Sequence, residues 1–124
     1  MAVAKLDVIA LDCPEPRKLA DFYAAVLDGT VTDTEDDGDW IVVKVPGAQL
    51  AFQRAPGYTP PAWPSAESSQ QFHLDLNVED LDAAEKDVLA LGARVLDNED
   101  KSRSWRVYAD PVGHPFCLCG PAAS

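Results

Sequence analysis

The stretch Gln71-Phe72-His73-Leu74-Asp75-Leu76-Asn77 alternates apolar and polar residues. In an extended strand successive side chains point to opposite faces, so His73, Asp75 and Asn77 share one face while Phe72, Leu74 and Leu76 share the other. An imidazole that titrates near neutrality suits a general base, a hydrogen-bonding anchor or a metal ligand, and Asp75 lies beside it. Two thiols, Cys117 and Cys119, share a face of a later extended stretch and are too close along one strand for a natural disulfide. Nothing else in the chain marks a nucleophile, a phosphate loop or a nucleotide site.

The elements that must position these groups follow from periodicity. A helix from about Asp80 to Leu91 places Leu81, Ala84, Val88 and Leu91 on one stripe, which covers the apolar face of the His73 strand. Upstream, Ala4 to Asp12 reads as a strand, and Pro16 opens a helix whose missing N–H costs nothing in the first turn. Leu19, Phe22, Tyr23, Val26 and Leu27 form its apolar stripe, and Gly29 is expected as its left-handed stop. Strands follow at Thr30 to Thr32, Trp40 to Val45 and Gln49 to Arg54.

Residues 55–69 hold four prolines and read as a linker, in which Tyr58 and Trp63 pack over the core or over a ligand, the core being the first expectation. From Gln70 the order repeats. Adding 65 maps Leu11 onto Leu76, Trp40 onto Trp105, Val42 onto Val107 and Pro46 onto Pro111, with no gap expected between them. The chain therefore reads as an α+β protein of two tandem βαβββ modules, about 1–54 and 70–120, each too small to stand alone and completing one domain.

A chain of 124 residues is long enough for one cored domain. Ten Lys plus Arg against 21 Asp plus Glu give a net charge of −11, which repels nucleic-acid phosphates and acidic membranes and suits a neutral or cationic small molecule. Three cysteines without a framework spacing point to free thiols and a reducing compartment, so a cytoplasmic location is expected. The N-terminus reads as a first strand rather than a signal peptide, and no apolar run reaches membrane-spanning length.

Three segments in this order resemble the vicinal oxygen chelate superfamily, which contains glyoxalase I, bleomycin-resistance proteins and extradiol dioxygenases. They are the helix end Asp21-Phe22-Tyr23-Ala24-Ala25-Val26-Leu27-Asp28-Gly29, the segment from His73 to Leu81, and the turn Asp110-Pro111-Val112-Gly113. Leu50 to Arg54 and Phe116 to Cys119 are similar to small glyoxalase-like proteins frequent in actinobacteria. The resemblance implies a cup-shaped, barrel-like mixed sheet with helices outside, often as a homodimer. It also implies one metal donor from the first strand and one from the last strand of each module. His73 fills the first-strand position of the second module, but its counterpart is Val8. The last-strand positions fall on Cys117 and Ala51, with Gln53 sharing the face of Ala51 and Cys119 that of Cys117.

His73 is thus the one inherited donor, and Cys117, Cys119, Gln53 and Asp75 are substitutes. No cofactor is expected; the alternative is a divalent metal (zinc, nickel, iron or manganese) on His73 and Cys117. Trp40 and Trp105 are core or cavity-wall residues, Asp110 caps its own turn, and His114 is expected in solvent. The acidic turns from Asp33 to Asp39 and from Asp97 to Asp100 are either solvated or an electronegative rim. The first functional expectation is metal-independent sequestration of a cationic or aromatic small molecule contacting His73, Asp75, Gln53, Trp40, Trp105 and Cys117. The alternative is a lyase, isomerase or dioxygenase acting on vicinal oxygens, with His73 as ligand or base.

Overall fold

A computed structural model describes residues 2–3, 5–65, 67 and 72–121. The chain is α+β and divides into two compact units, Met1–Tyr58 and Thr59–Ser124. The first contains β1 (Ile9–Cys13), α1 (Pro16–Leu27), β2 (Thr30–Glu35), β3 (Trp40–Val45) and β4 (Ala48–Arg54). The second contains β5 (Leu74–Asn77), α2 (Leu81–Ala90), β6 (Arg94–Asp97), β7 (Trp105–Ala109) and β8 (Pro115–Cys119). Each unit carries one mixed four-stranded sheet, ordered β1-β4-β3-β2 and β5-β8-β7-β6, so the duplicated βαβββ module read from the sequence is what the chain adopts. Among the described residues no helix is long and apolar enough to cross a membrane.

Cross-strand partners verify the repeat. Trp40 faces Gln53 and Trp105 faces Cys119; Val42 faces Ala51 and Val107 faces Cys117. Each module also has a β-bulge at the same place, between Val31 and Asp33 and between Val95 and Asp97. The constant offset of 65 is not kept, however. The bulges lie 64 residues apart, the tryptophans 65, and Ala51 and Cys117 66. The connections on either side of β3 and β7 differ in length by one residue each, while the strand pairing is preserved.

In module 1, α1 packs Leu19, Phe22 and Tyr23 onto the sheet, with Tyr23 stacked on Phe52 at 5.6 Å between ring centroids. Pro16 occupies the first helical turn as expected. The left-handed stop is Asp28 (φ 52°), not Gly29. Gly29 is required for a different reason: a Cβ there would lie 2.8 Å from Val43 Cγ1, 2.9 Å from Val45 Cγ1 and 3.0 Å from the Lys44 carbonyl. The sequence shows a glycine at a helix end; only the packing shows that close approach, rather than a positive φ, demands it.

In module 2, Asp80 caps α2 by accepting the Ala83 N–H at 3.1 Å, and Gly92 adopts the positive φ that ends it. Val88 is buried and Leu81 and Ala84 are half-buried, but Leu91 is exposed: it is the C-cap, one residue beyond the last helical turn. The face beneath α2 is tied by polar groups as well. Arg106, 5% exposed, donates to Asp82 Oδ1 at 2.8 Å, and Glu85 Oε1 accepts from Tyr108 Oη at 2.8 Å and from Asn98 Nδ2 at 2.9 Å. Burial alone would raise the Glu85 carboxyl, but these hydrogen bonds and the positive charges of Lys101 and Arg106 outweigh it and hold it below the usual glutamate value.

Both first strands are shorter than expected. β1 begins at Ile9 and β5 at Leu74, because their pairing with β4 and β8 begins at Leu50 and Phe116. Among the described residues no strand pairs with the positions before that point: Leu6 is 81% exposed and Phe72 86%, so Phe72 does not join the buried face. Gln71 lies outside the described residues.

Two outcomes are expected. Gly29→Ala lowers stability by about 1–3 kcal/mol through overpacking, read as a lower urea midpoint; an unchanged midpoint would mean that the β3 side chains yield without cost. Glu85→Gln costs about 1–2 kcal/mol near neutrality, where the wild-type carboxylate is charged. Because its folded pKa is lowered, that advantage is complete above about pH 4.5 and disappears as pH falls through the folded value, so wild-type and variant midpoints should converge on acidification.

Candidate functional site

Register defines the open face of module 2. Asp75 pairs with Cys117, which pairs with Val107, and Asn77 pairs with Cys119, which pairs with Trp105. Strand partners share a face, so these side chains lie on one side of the sheet. Leu76, Leu118, Arg106, Phe116 and Tyr108 lie on the other, where Arg106 and Tyr108 meet α2. The alternation around His73 therefore leads where the sequence indicated: apolar positions under the helix, polar positions away from it.

His73 Nε2 lies 3.1 Å from Asp75 Oδ1, with side chains 31% and 62% exposed. Cys117 is buried opposite Asp75, and one donor atom from each of His73, Asp75 and Cys117 lies within 4.8 Å of the others. Trp63 stacks on the His73 ring at 4.8 Å between centroids and 25° between planes. The first expectation for Trp63, ordinary core packing, is corrected: the half-buried indole lies on the candidate site. A large aromatic side chain in a proline-rich connection was the only sequence signal for it.

Farther along the same face, Trp105 is 43% exposed and carries the Arg103 guanidinium 4.7 Å from its ring centroid. Arg103 is in turn paired with Asp97 at 3.2 Å. Trp105 is thus an open wall of the sheet and not core. Asp97 is engaged by Arg103, and Asp100 accepts the Ser102 N–H at 3.0 Å, so these members of the second acidic turn are bound to their own chain. Asp110, 1% exposed, caps its turn by accepting the Val112 and His114 N–H groups at 3.0 Å each. His114 is half-buried in that turn instead of lying in open solvent.

Trp40 and Gln53 fall in module 1, directly opposite each other, with Asp12 beside Gln53 on β1. Trp40 is half-buried and Gln53 and Asp12 are exposed. The candidate residues therefore form two groups: Trp40 with Gln53, and His73, Asp75 and Cys117 with Trp105 farther along the same sheet face.

Electrostatics keep both thiols on this face protonated. Burial, then the Asp75 carboxylate, pushes Cys117 up to about 12, and burial and Asp75 also raise Cys119. A positive neighbour that would activate Cys117 as a nucleophile is confined to the weaker opposing effect of Arg103.

The comparisons with known proteins agree with this fold. Among solved structures, the chain is similar to a glyoxalase/bleomycin resistance protein/dioxygenase family enzyme from Burkholderia phytofirmans, with a TM-score of 0.71 and 16% identity over 93% of this chain and 97% of that one. The fosfomycin resistance protein FosX from Listeria monocytogenes matches with a TM-score of 0.71 and 11% identity over 96% and 91%. A mutant of the Listeria protein complexed with Mn(II) and 1S,2S-dihydroxypropylphosphonic acid matches with a TM-score of 0.69 and 13% identity over 97% and 93%. These likenesses define the fold class, that of glyoxalase, bleomycin-resistance and dioxygenase proteins. The family model for the glyoxalase-like domain matches residues 8–119, and the chain belongs to that family. No curated protein matches it by sequence.

The thiol environment has a direct readout. In native protein at pH 8, burial and the neighbouring Asp75 carboxylate hold Cys117 in its thiol form. Iodoacetamide should therefore label half-buried Cys119 before Cys117, as followed by peptide mass spectrometry; faster labelling of Cys117 would contradict this placement.

Proposed function

We propose that the chain is a small-molecule-binding protein of the glyoxalase/bleomycin-resistance type, whose ligand is held on the open face of module 2 with His73 as polar anchor. The observation that carries this reading is the Trp63–His73 stack beside the exposed Asp75 carboxylate. An aromatic wall and a carboxylate within one side-chain reach suit a cationic or aromatic ligand, and the net charge of −11 favours its approach. The four-donor centre implied by the resemblance has no counterpart in module 1, where Val8 and Ala51 offer no ligand atom.

A catalytic reading is supported by one contact. Asp75 Oδ1, 3.1 Å from His73 Nε2, orients the imidazole as carboxylates orient general bases. The substrate would then be a molecule bearing vicinal oxygens, undergoing proton abstraction.

A thermal-shift screen of cationic and aromatic compounds, followed by calorimetry, tests both readings. His73→Ala should abolish binding of a hit, and Trp63→Ala should weaken it about 3–10-fold, the equivalent of about 0.5–1.5 kcal/mol for one aromatic contact. Recovery of the hit unchanged supports sequestration, and recovery of a modified product makes the protein an enzyme. Undiminished binding by both variants would remove the site from this face.

A further inference from the structure

We propose that His73, Asp75 and Cys117 form a three-donor site for a thiophilic divalent metal, zinc in its resident form, built entirely from module 2. This rests on the reading that the open face of module 2 is the binding surface, and it replaces the expectation of metal-independent binding with a metal-borne anchor. Three observations carry it.

The first is convergence: the three donor atoms lie within 4.8 Å of one another. Donors around a tetrahedral zinc are about 3.3–3.8 Å apart, from bonds of about 2.0–2.3 Å. Asp75, 62% exposed, and His73, 31% exposed and stacked on Trp63, are the side chains whose rotation would close the remaining gap. The second is register. Asp75 and Cys117 are direct strand partners, so the backbone holds these two donors opposite each other, and His73, just ahead of β5, reaches them with its Nε2 3.1 Å from Asp75 Oδ1. Cys119, one pair farther along, faces Asn77 and Trp105 and stands outside the cluster.

The third is donor chemistry. One sulfur, one imidazole nitrogen and one carboxylate oxygen form a set suited to zinc or cobalt, whereas manganese and magnesium prefer oxygen donors. The residues present thus fit a metal, but a softer one than the Mn(II) found with the Listeria fosfomycin resistance protein. Three protein donors leave a coordination position for an oxygen of the bound small molecule. Binding breaks the Cys117 S–H bond, releases that proton to solvent and forms a sulfur–metal bond; no electron is transferred.

The test uses full-length, untagged protein stripped of metal and titrated with Co(II) alone. Saturation is expected at about one equivalent, with near-ultraviolet sulfur-to-cobalt charge-transfer absorption and visible bands typical of a four-coordinate ion. The charge-transfer band should disappear in Cys117→Ser and persist in Cys119→Ser. Binding should weaken by more than about tenfold in Asp75→Asn and in His73→Ala, since loss of a ligand exceeds the effect of losing an outer-shell partner. Zn(II) should displace Co(II) and Mn(II) should not.

Absence of the charge-transfer band, its survival in Cys117→Ser, or displacement by Mn(II) as readily as by Zn(II) overturns the proposal. Circular dichroism checks each variant for folding, and the His73 and Asp75 variants, altered at solvent-reaching positions, decide the matter if Cys117→Ser does not fold. Repeating the thermal-shift screen without metal separates the two ideas. Ligand binding without any cobalt band removes the metal site and leaves the binding surface. A cobalt band that no screened compound perturbs supports the metal site and removes the binding reading.

Discussion

Parallel pairing of the first and last strands of each module is the constraint on which the rest depends. Parallel strands cannot be joined by a tight turn, so a long connection must intervene; here it is a helix that returns over one face of the sheet, followed by two further strands. That return decides which side is core. In module 2 it assigns Leu76, Phe116 and Leu118 to the helix side and leaves Asp75 and Cys117, locked as partners, on the other. The placement of these polar groups is a by-product of this register: a slip of one residue would bury the carboxylate beneath α2 and turn leucines away from it.

The two modules use the same frame differently. In module 1 the equivalents of His73, Asp75 and Cys117 are Val8, Ala10 and Ala51, so its open face is apolar at the level where module 2 is polar. Trp40 and Trp105 keep the same register position in both, opposite Gln53 and Cys119. The two modules therefore share the aromatic positions but differ at the positions occupied by His73, Asp75 and Cys117, so the polar side chains at this level are concentrated in module 2.

Much of this was legible in the sequence because it is carried by local periodicity. Alternation around His73 identified the faces of β5, helical spacing identified α1 and α2, and the recurrence of Trp40 at Trp105 exposed the repeat. What was not legible depends on tertiary contacts. The role of Gly29 is set by Val43 and Val45, which are remote in sequence, and Asp28 takes the left-handed position because the helix ends one residue earlier than the glycine suggests. Phe72 fits the alternation but lies beyond the reach of β8. Trp63 and Arg103 sit in connecting segments, where no period constrains a side chain, and only their partners, His73 and Trp105, reveal their positions.

The drift of the offset between modules, from 64 at the bulges to 65 at the tryptophans and 66 at Ala51 and Cys117, bears on how such a chain can change. Single-residue length differences have been absorbed in the connections while every strand partner stayed opposite its counterpart. The two hairpin ends differ in how far they could change further: in module 2 the end is anchored by buried Asp110 and by Gly113, where a Cβ would lie 2.5 Å from Pro60, whereas nothing lies within 4 Å of a Cβ at Gly47 in module 1.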